Sequence, residues 1–181
     1  PGVYNEKLVV DKKNVSIIGQ HRDSVIIVYD ECASTSTSQD GYNTGLANGD
    51  IGTTVASYTM LIAADNFYGE GFTVRNDYDW INSTSAKRQN VALSRTAGDC
   101  IVLNNVALEG VENVYFSKKT KGRVYMKNCR FLGGSDIITS GGTVVMDSCL
   151  FNVIEGGKSL SAAFPSEYDF GIVLLNSNVM L

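Results

Sequence analysis

Short runs of alternating apolar and polar positions recur along this chain in a common form. The segments GFTVRN (71–76), NVALEG (105–110), NCRFLGG (128–134), SCLFNV (148–153) and SNVML (177–181) share a pattern in which a polar residue precedes two apolar positions spaced by one. A period of two marks a strand with one buried face. Aligning Phe72, Val106, Cys129, Cys149 and Asn178 gives intervals of 34, 23, 20 and 29 residues, close to the length of one turn of a β-solenoid. Such a coil cannot bury its inward face alone, so neighbours stack and the same position recurs rung after rung. The pattern predicts an all-β chain folded as a right-handed parallel β-helix, a single domain over 1–181, with Phe72, Val106, Cys129 and Cys149 inward on successive coils. With 18 glycines, two prolines and many β-branched residues, little helix is expected.

Two segments break the period. Residues 33–54 are rich in Ser, Thr, Gly and Asn and lack apolar periodicity, and 77–88 carry the single tryptophan, Trp80. Both are expected as loop excursions from the coils. A β-helix needs covers on its open strand edges, whereas this chain starts within a strand-like unit and stops in the middle of one, so it reads as a fragment lacking both end caps.

Composition narrows the class. The chain is 44% apolar and 19% charged with a net charge of −4, ordinary for a globular domain and unsuited to nucleic acid or an anionic membrane surface. No apolar run approaches the roughly 18 residues of a membrane helix. The four cysteines, Cys32, Cys100, Cys129 and Cys149, form no CxxC pair and read as small buried residues, with Cys129 above Cys149 in a ladder rather than in a disulfide. The sequons at Asn14 and Asn82 matter only in a eukaryotic secretory pathway. Asp77 and Asp79 have a spacing compatible with calcium but read as solvated, and the basic run Lys118, Lys119, Lys121 and Arg123 reads as a wet turn or as a positive rim for an acidic polymer. A lone histidine, His21, and the absence of a GxSxG elbow argue against a Ser-His-Asp hydrolase.

The stretch GGSDIITSGG (133–142) raises a different chemistry. Its one carboxylate, Asp136, sits among small and apolar residues, where an unpartnered charge is costly. Asp136 is therefore either a turn aspartate or a reactive one.

Taken in order, PGVYNEKLVV, VSIIGQHRDSVII, TVASYTMLIAADNFYGEGFTVRN, QNVALSRTAGDCIVLNNVALEG, GRVYMKNCRFLGGSDIITSGGTVVMDSCLF and DFGIVLLNSNV resemble the pectin methylesterases, β-helical carbohydrate esterases with a pectin-lyase-like solenoid, over nearly the whole chain. The resemblance implies Asp136 as the nucleophile and Gln89, in QNVAL, as a holder of the oxyanion. In ENVYF, Glu112 stands where the family has a second oxyanion glutamine, and Asn113 stands where it has the aspartate that acts as general acid and then base. SDIITS keeps the nucleophile but lacks both family aromatics, and this sequence stops before the place of the family's later Leu-Gly-Arg-Pro-Trp motif. The candidate substrate contacts are Trp80, Tyr115 and Phe116.

These residues imply a secreted, monomeric esterase that needs no cofactor or metal and demethylates homogalacturonan, with pectin or another acidic polysaccharide as partner. The alternative is a catalytically impaired β-helix that binds a polyuronate without turnover, since Asn113 can donate a hydrogen bond but cannot deliver a proton and take it back. A calcium-dependent polysaccharide lyase on the same architecture is a third reading, with a weak metal constellation.

Overall fold

The computed structural model describes all residues of the chain except 38, 40, 119, 120, 155 and 164–169. Parallel strands stack into three sheets that wrap one core, as faces of a prism. The first face stacks Gly2–Asn5, Val25–Tyr29, Thr73–Asn76, Ala107–Glu109, Arg130–Gly133, Leu150–Val153 and Asn178–Met180. The second stacks Leu8–Val10, Tyr58–Ile62, Val91–Arg95, Tyr115–Ser117, Ile138–Ser140 and Ser161–Ala163. The third stacks Ser16–Ile18, Tyr68–Glu70, Ile101–Asn104, Arg123–Lys127, Thr143–Asp147 and Ile172–Leu175. The chain visits the faces in rotation, which makes it a parallel β-helix. The only helical elements among the described residues are three short 3-10 turns.

The repeated sequence block is the corner between the third and first faces. Asn105, Asn128, Ser148 and Asn176 hold left-handed φ values of 53°, 53°, 56° and 49°. Asparagine tolerates this region because its short side chain bonds locally. The residue after each of the first three corners points inward, as does Phe72 after Gly71 (φ 70°): Phe72, Val106, Cys129 and Cys149 are all buried in the main core. On the next inward position Phe131 stacks over Phe151 with ring centroids 4.7 Å apart and planes 8° from parallel. A buried side chain of this size contributes roughly 1.5–3 kcal/mol, so the ladder rather than any one contact holds the coils together.

The last rung differs by one residue from the sequence alignment. Leu150 pairs with Asn178, so Ser177, not Asn178, stands over Cys149. The Ser177 hydroxyl accepts the Cys149 amide at 3.0 Å and donates to the Leu175 carbonyl at 2.8 Å, which lets a polar residue occupy an apolar position. Cys129 and Cys149 are free thiols on adjacent coils, and the Cys149 thiol together with burial pushes the Cys129 thiol up.

The strands Tyr58–Ile62 and Val91–Arg95 are buried on both sides. Their outward residues Tyr58, Leu61 and Val91 pack with Leu46 and Phe116 in a second cluster, beneath the segment between Tyr29 and Tyr58. That cover is pinned by polar contacts. Lys118 Nζ lies 2.6 Å from Asp50, and the Thr96 hydroxyl donates to the Thr44 carbonyl at 2.5 Å. Beneath it lies a buried ion pair, Lys7 with Glu31. Lys7 also donates to the carbonyls of Thr37 and Ala56 at 2.9 and 3.0 Å and sits 4.4 Å from the Tyr58 ring centre. Burial pulls the Lys7 ammonium below its ordinary value and pushes the Glu31 carboxyl above its own, with the mutual pairing opposing both. Of the basic run, Lys118 and Arg123 are committed to Asp50 and Asp99, and Lys119 lies outside the described residues.

Candidate active site

The corner between the first and second faces carries the candidate chemistry. After Ala107–Glu109 the chain turns through Gly110, Val111, Glu112 and Asn113, and one coil later it turns through Gly134, Ser135 and Asp136. Glu112 bridges Ser135, and Tyr115 pairs with Ile138, so Asn113 and Asp136 occupy equivalent positions on adjacent coils. Both are left-handed, with φ of 59° and 47°. The Asn113 amide donates to the Ser135 carbonyl at 3.1 Å, tying the two corners. A Cβ on Gly133 would come within 2.6 Å of a Val114 methyl, so the first glycine of GGSD is required for the coils to stack this closely.

The preceding coil supplies Gln89 and Asn90. The Asn90 side-chain oxygen accepts the amides of both Val111 and Glu112 at 3.1 Å, and the Asn90 amide donates to the Glu112 carbonyl at 3.3 Å. These bonds fix the corner from which the Glu112 side chain leaves. Gln89 Nε2 donates to Glu112 Oε1 at 3.1 Å, so the amide read as an oxyanion donor is engaged by the acid next to it.

A cleft of about 380 Å³ opens at this corner, lined among others by Trp80, Arg88, Glu112, Asp136, Lys158 and Ser159. The Arg88 guanidinium lies over the Trp80 ring, 5.2 Å from its centre, which gives the wall a flat amphipathic surface. Among the described residues, two carboxylates and two cations therefore share one cavity. On the floor, the Asp136 amide donates to Ser159 Oγ at 3.0 Å, and the Ser159 hydroxyl donates back to Asp136 Oδ1.

Sequence reasoning placed Gln89, Glu112 and Asp136 on neighbouring coils, and here their corners are neighbours. Three other candidates sit elsewhere. Asn113 is 7% exposed and does not line the cleft; its Nδ2 donates to Thr139 Oγ1 at 2.8 Å. Thr139 is one of the positions where the resembled family has an aromatic. Tyr115, read as a substrate contact, points into the coil interior at 1% exposure, where burial raises its phenol, so no ligand reaches it. Phe116 alternates outward, as a period of two demands, but packs under the 33–54 segment against Tyr58, Leu61 and Val91 instead of lining the cleft. Asp79 is engaged by the Asn82 amide and side chain at 3.1 and 2.8 Å. Arg88, Lys158 and Ser159 were missed. Only the interval gave a signal: Ser159 follows Asp136 by 23 residues, as Asp136 follows Asn113.

This fold and corner have counterparts. The Pectinesterase family model matches residues 1–166. The chain belongs to the pectinesterase family. Pectinesterase A of Dickeya dadantii is 30% identical to this family member over 199 aligned positions, covering 99% of this chain and 51% of that protein. Pectinesterase 2 of Citrus sinensis is 27% identical over 82% of this chain and 24% of its own length. Among solved structures, pectin methylesterase PemA from Erwinia chrysanthemi superposes with a TM-score of 0.81 at 27% identity over 98% of this chain and 55% of that one. A pectin methylesterase crystallised with hexasaccharide VII gives 0.82 at 28% identity, with 98% and 54% covered. This pectinesterase-family chain spans about half the length of the first of these curated relatives.

Proposed function

We propose that the chain carries the reaction face of a pectin methylesterase-type carbohydrate esterase acting outside the cell on the methyl esters of homogalacturonan, with Asp136 as nucleophile. The observation that carries the reading is the cleft itself: Asp136 and Glu112 project from adjacent coils into one cavity that also holds Arg88, Lys158 and an aromatic wall. An anionic, ring-shaped substrate matches that combination of cations and a flat apolar surface.

The chemistry follows from these groups. Asp136 attacks the ester carbonyl carbon, and the carbonyl π electrons move onto oxygen. Collapse of that oxyanion expels methoxide, which leaves as methanol by taking a proton from a general acid. This produces a mixed anhydride between Asp136 and the sugar. Water adds to the sugar acyl carbon, its proton returning to the acid's conjugate base, and cleavage of the anhydride releases the uronate and regenerates Asp136. Glu112 is the cleft acid assigned the proton, and Gln89 Nε2 holds its carboxyl in place. Once Glu112 has given up its proton, the positive charge of Arg88 and Lys158 accommodates the carboxylate left in the cleft beside the acyl intermediate.

The test is methanol release from highly methylated pectin, assayed together with unsaturated chain ends. Methanol without unsaturated ends, abolished by Asp136→Asn, is the expected result. Unsaturated ends identify a lyase. Neither product, with retained binding to polygalacturonate, establishes the binding-only reading, which the engagement of Gln89 by Glu112 and the amide at position 113 favour.

A further inference from the structure

Three residues stand at the same place on three successive coils: Asn113, Asp136 and Ser159, each 23 residues after the one before. Ile138 pairs with Ser161, so Ser159 precedes its second-face strand by two residues, as Asp136 precedes Ile138. Ser159 comes from the turn after Leu150–Val153, and its hydroxyl makes two bonds to one residue. Its oxygen accepts the Asp136 amide at 3.0 Å, and its proton goes to Asp136 Oδ1.

A hydroxyl has a single proton. With that proton on Oδ1 and its oxygen fixed by the Asp136 amide, the carboxylate cannot rotate without losing a charge-assisted hydrogen bond, a strong class of contact. Among the described residues no donor reaches Oδ2, so its lone pairs are the ones left for attack. The backbone at Asp136 is itself in the left-handed region, so the side chain's direction is set twice, by the corner and by the serine.

We infer that Ser159 is a positioning residue, which clamps Oδ1 of Asp136 and leaves Oδ2 as the attacking oxygen. The inference rests on the reading of Asp136 as nucleophile. Ser159 touches no reacting atom of the substrate in this arrangement; it acts through the carboxylate. Near-attack geometry is the quantity it controls, so its removal lowers kcat while leaving KM largely unchanged.

The experiment compares wild type, Ser159→Ala and Ser159→Thr on methylated pectin, below any unfolding transition, and follows amide hydrogen exchange at Asp136 by NMR in the same three proteins. Ser159→Ala is expected to lower kcat about tenfold, with KM within about twofold, as suits loss of one hydrogen bond to a charged group. It should also speed exchange of the Asp136 amide, and Ser159→Thr, which keeps a hydroxyl on Cβ, should restore both. An active wild type matched in kcat by Ser159→Ala overturns the positioning role alone. Unchanged exchange at Asp136 overturns the clamp even where kcat falls. A wild type that releases no methanol overturns the esterase reading, and the positioning role with it.

Discussion

Which residue carries the proton is decided by two substitutions that pull in opposite directions, Glu112→Gln and Asn113→Asp. Family resemblance puts the acid at position 113, whereas the cleft is lined by Glu112 and not by Asn113. Glutamine at 112 keeps the shape and can still accept from Gln89 through its carbonyl, but it cannot cycle a proton. Positioned acid–base catalysis contributes roughly 10²- to 10⁴-fold, which is about 3–5 kcal/mol of barrier at 1.36 kcal/mol per factor of ten. Glu112→Gln is therefore expected to lower kcat for methanol release by at least about a hundredfold. Asparagine 113 is 7% exposed and donates to Thr139 Oγ1, whose hydroxyl donates in turn to the Asp136 carbonyl at 3.3 Å. An aspartate there has no proton to give Thr139 when ionised, so the threonine must turn its own proton to the new carboxylate and abandon Asp136. Its contribution stays outside the cleft, and kcat should change by less than about threefold, with stability lowered by about 1–3 kcal/mol for the disturbed buried bonds. The assay is steady-state methanol release, with urea unfolding as the control for stability. An active Glu112→Gln protein together with an Asn113→Asp protein tenfold faster than wild type would refute the assignment and place the proton at 113.

Two further expectations concern what pins the segment between Tyr29 and Tyr58 over the coils. Glu31→Ala leaves the Lys7 ammonium buried without its partner and should cost about 3–5 kcal/mol, whereas Lys7→Met with Glu31→Leu removes both charges and should cost less, the remainder coming from the Thr37 and Ala56 carbonyls that lose the Lys7 donor; urea midpoints check this, and a double variant as unstable as the single one would contradict the pairing argument. For Asp50, burial pushes the carboxyl up, but Lys118 at 2.6 Å and the Ala47 amide at 2.7 Å outweigh it, so the folded group lies below its ordinary value. A depressed folded carboxyl contributes stability above its unfolded value, near pH 4, and loses it as pH falls through the folded one. Lys118→Gln should thus be less stable than wild type at pH 7, with the gap closing below about pH 4, and a gap independent of pH would refute it.

How much could be read beforehand depends on whether a position is governed by parity or by packing from outside the repeat. The strands obey a period of two, so the inward ladder of Phe72, Val106, Cys129 and Cys149 was legible from spacing alone. The slip at the last rung arose because Ser177 fills an inward position with its hydroxyl satisfied by Cys149 and Leu175, which hides the site from any apolar pattern. Parity also explains the two aromatics. Adjacent residues on a strand face opposite ways, so Tyr115 and Phe116 never shared a surface, and the strand's pairing of Tyr115 with Ile138 assigns the inward side to the tyrosine. Phe116 lies outward yet is covered, because a segment without periodicity folds back over it through contacts that only the tertiary structure supplies.

The site is legible in the same graded way. A solenoid converts sequence interval into vertical distance, so residues one coil apart converge wherever the interval equals the coil length. That interval is 23 for both steps from Asn113 through Asp136 to Ser159, yet the serine was passed over, because serine is common in turns for reasons that need no ligand. Trp80 and Arg88 enter from an excursion whose path no repeat dictates, and only Trp80 was singled out, by its chemistry rather than its position. The corner therefore combines an inherited geometry with local content. The left-handed turns and close glycines fix where a carboxylate points, and the residues at 112 and 159 determine what that carboxylate meets. A change confined to those two positions alters the chemistry of the cleft without altering the coil that builds it, which is why the fold of this chain is a firmer guide to its family than to its turnover.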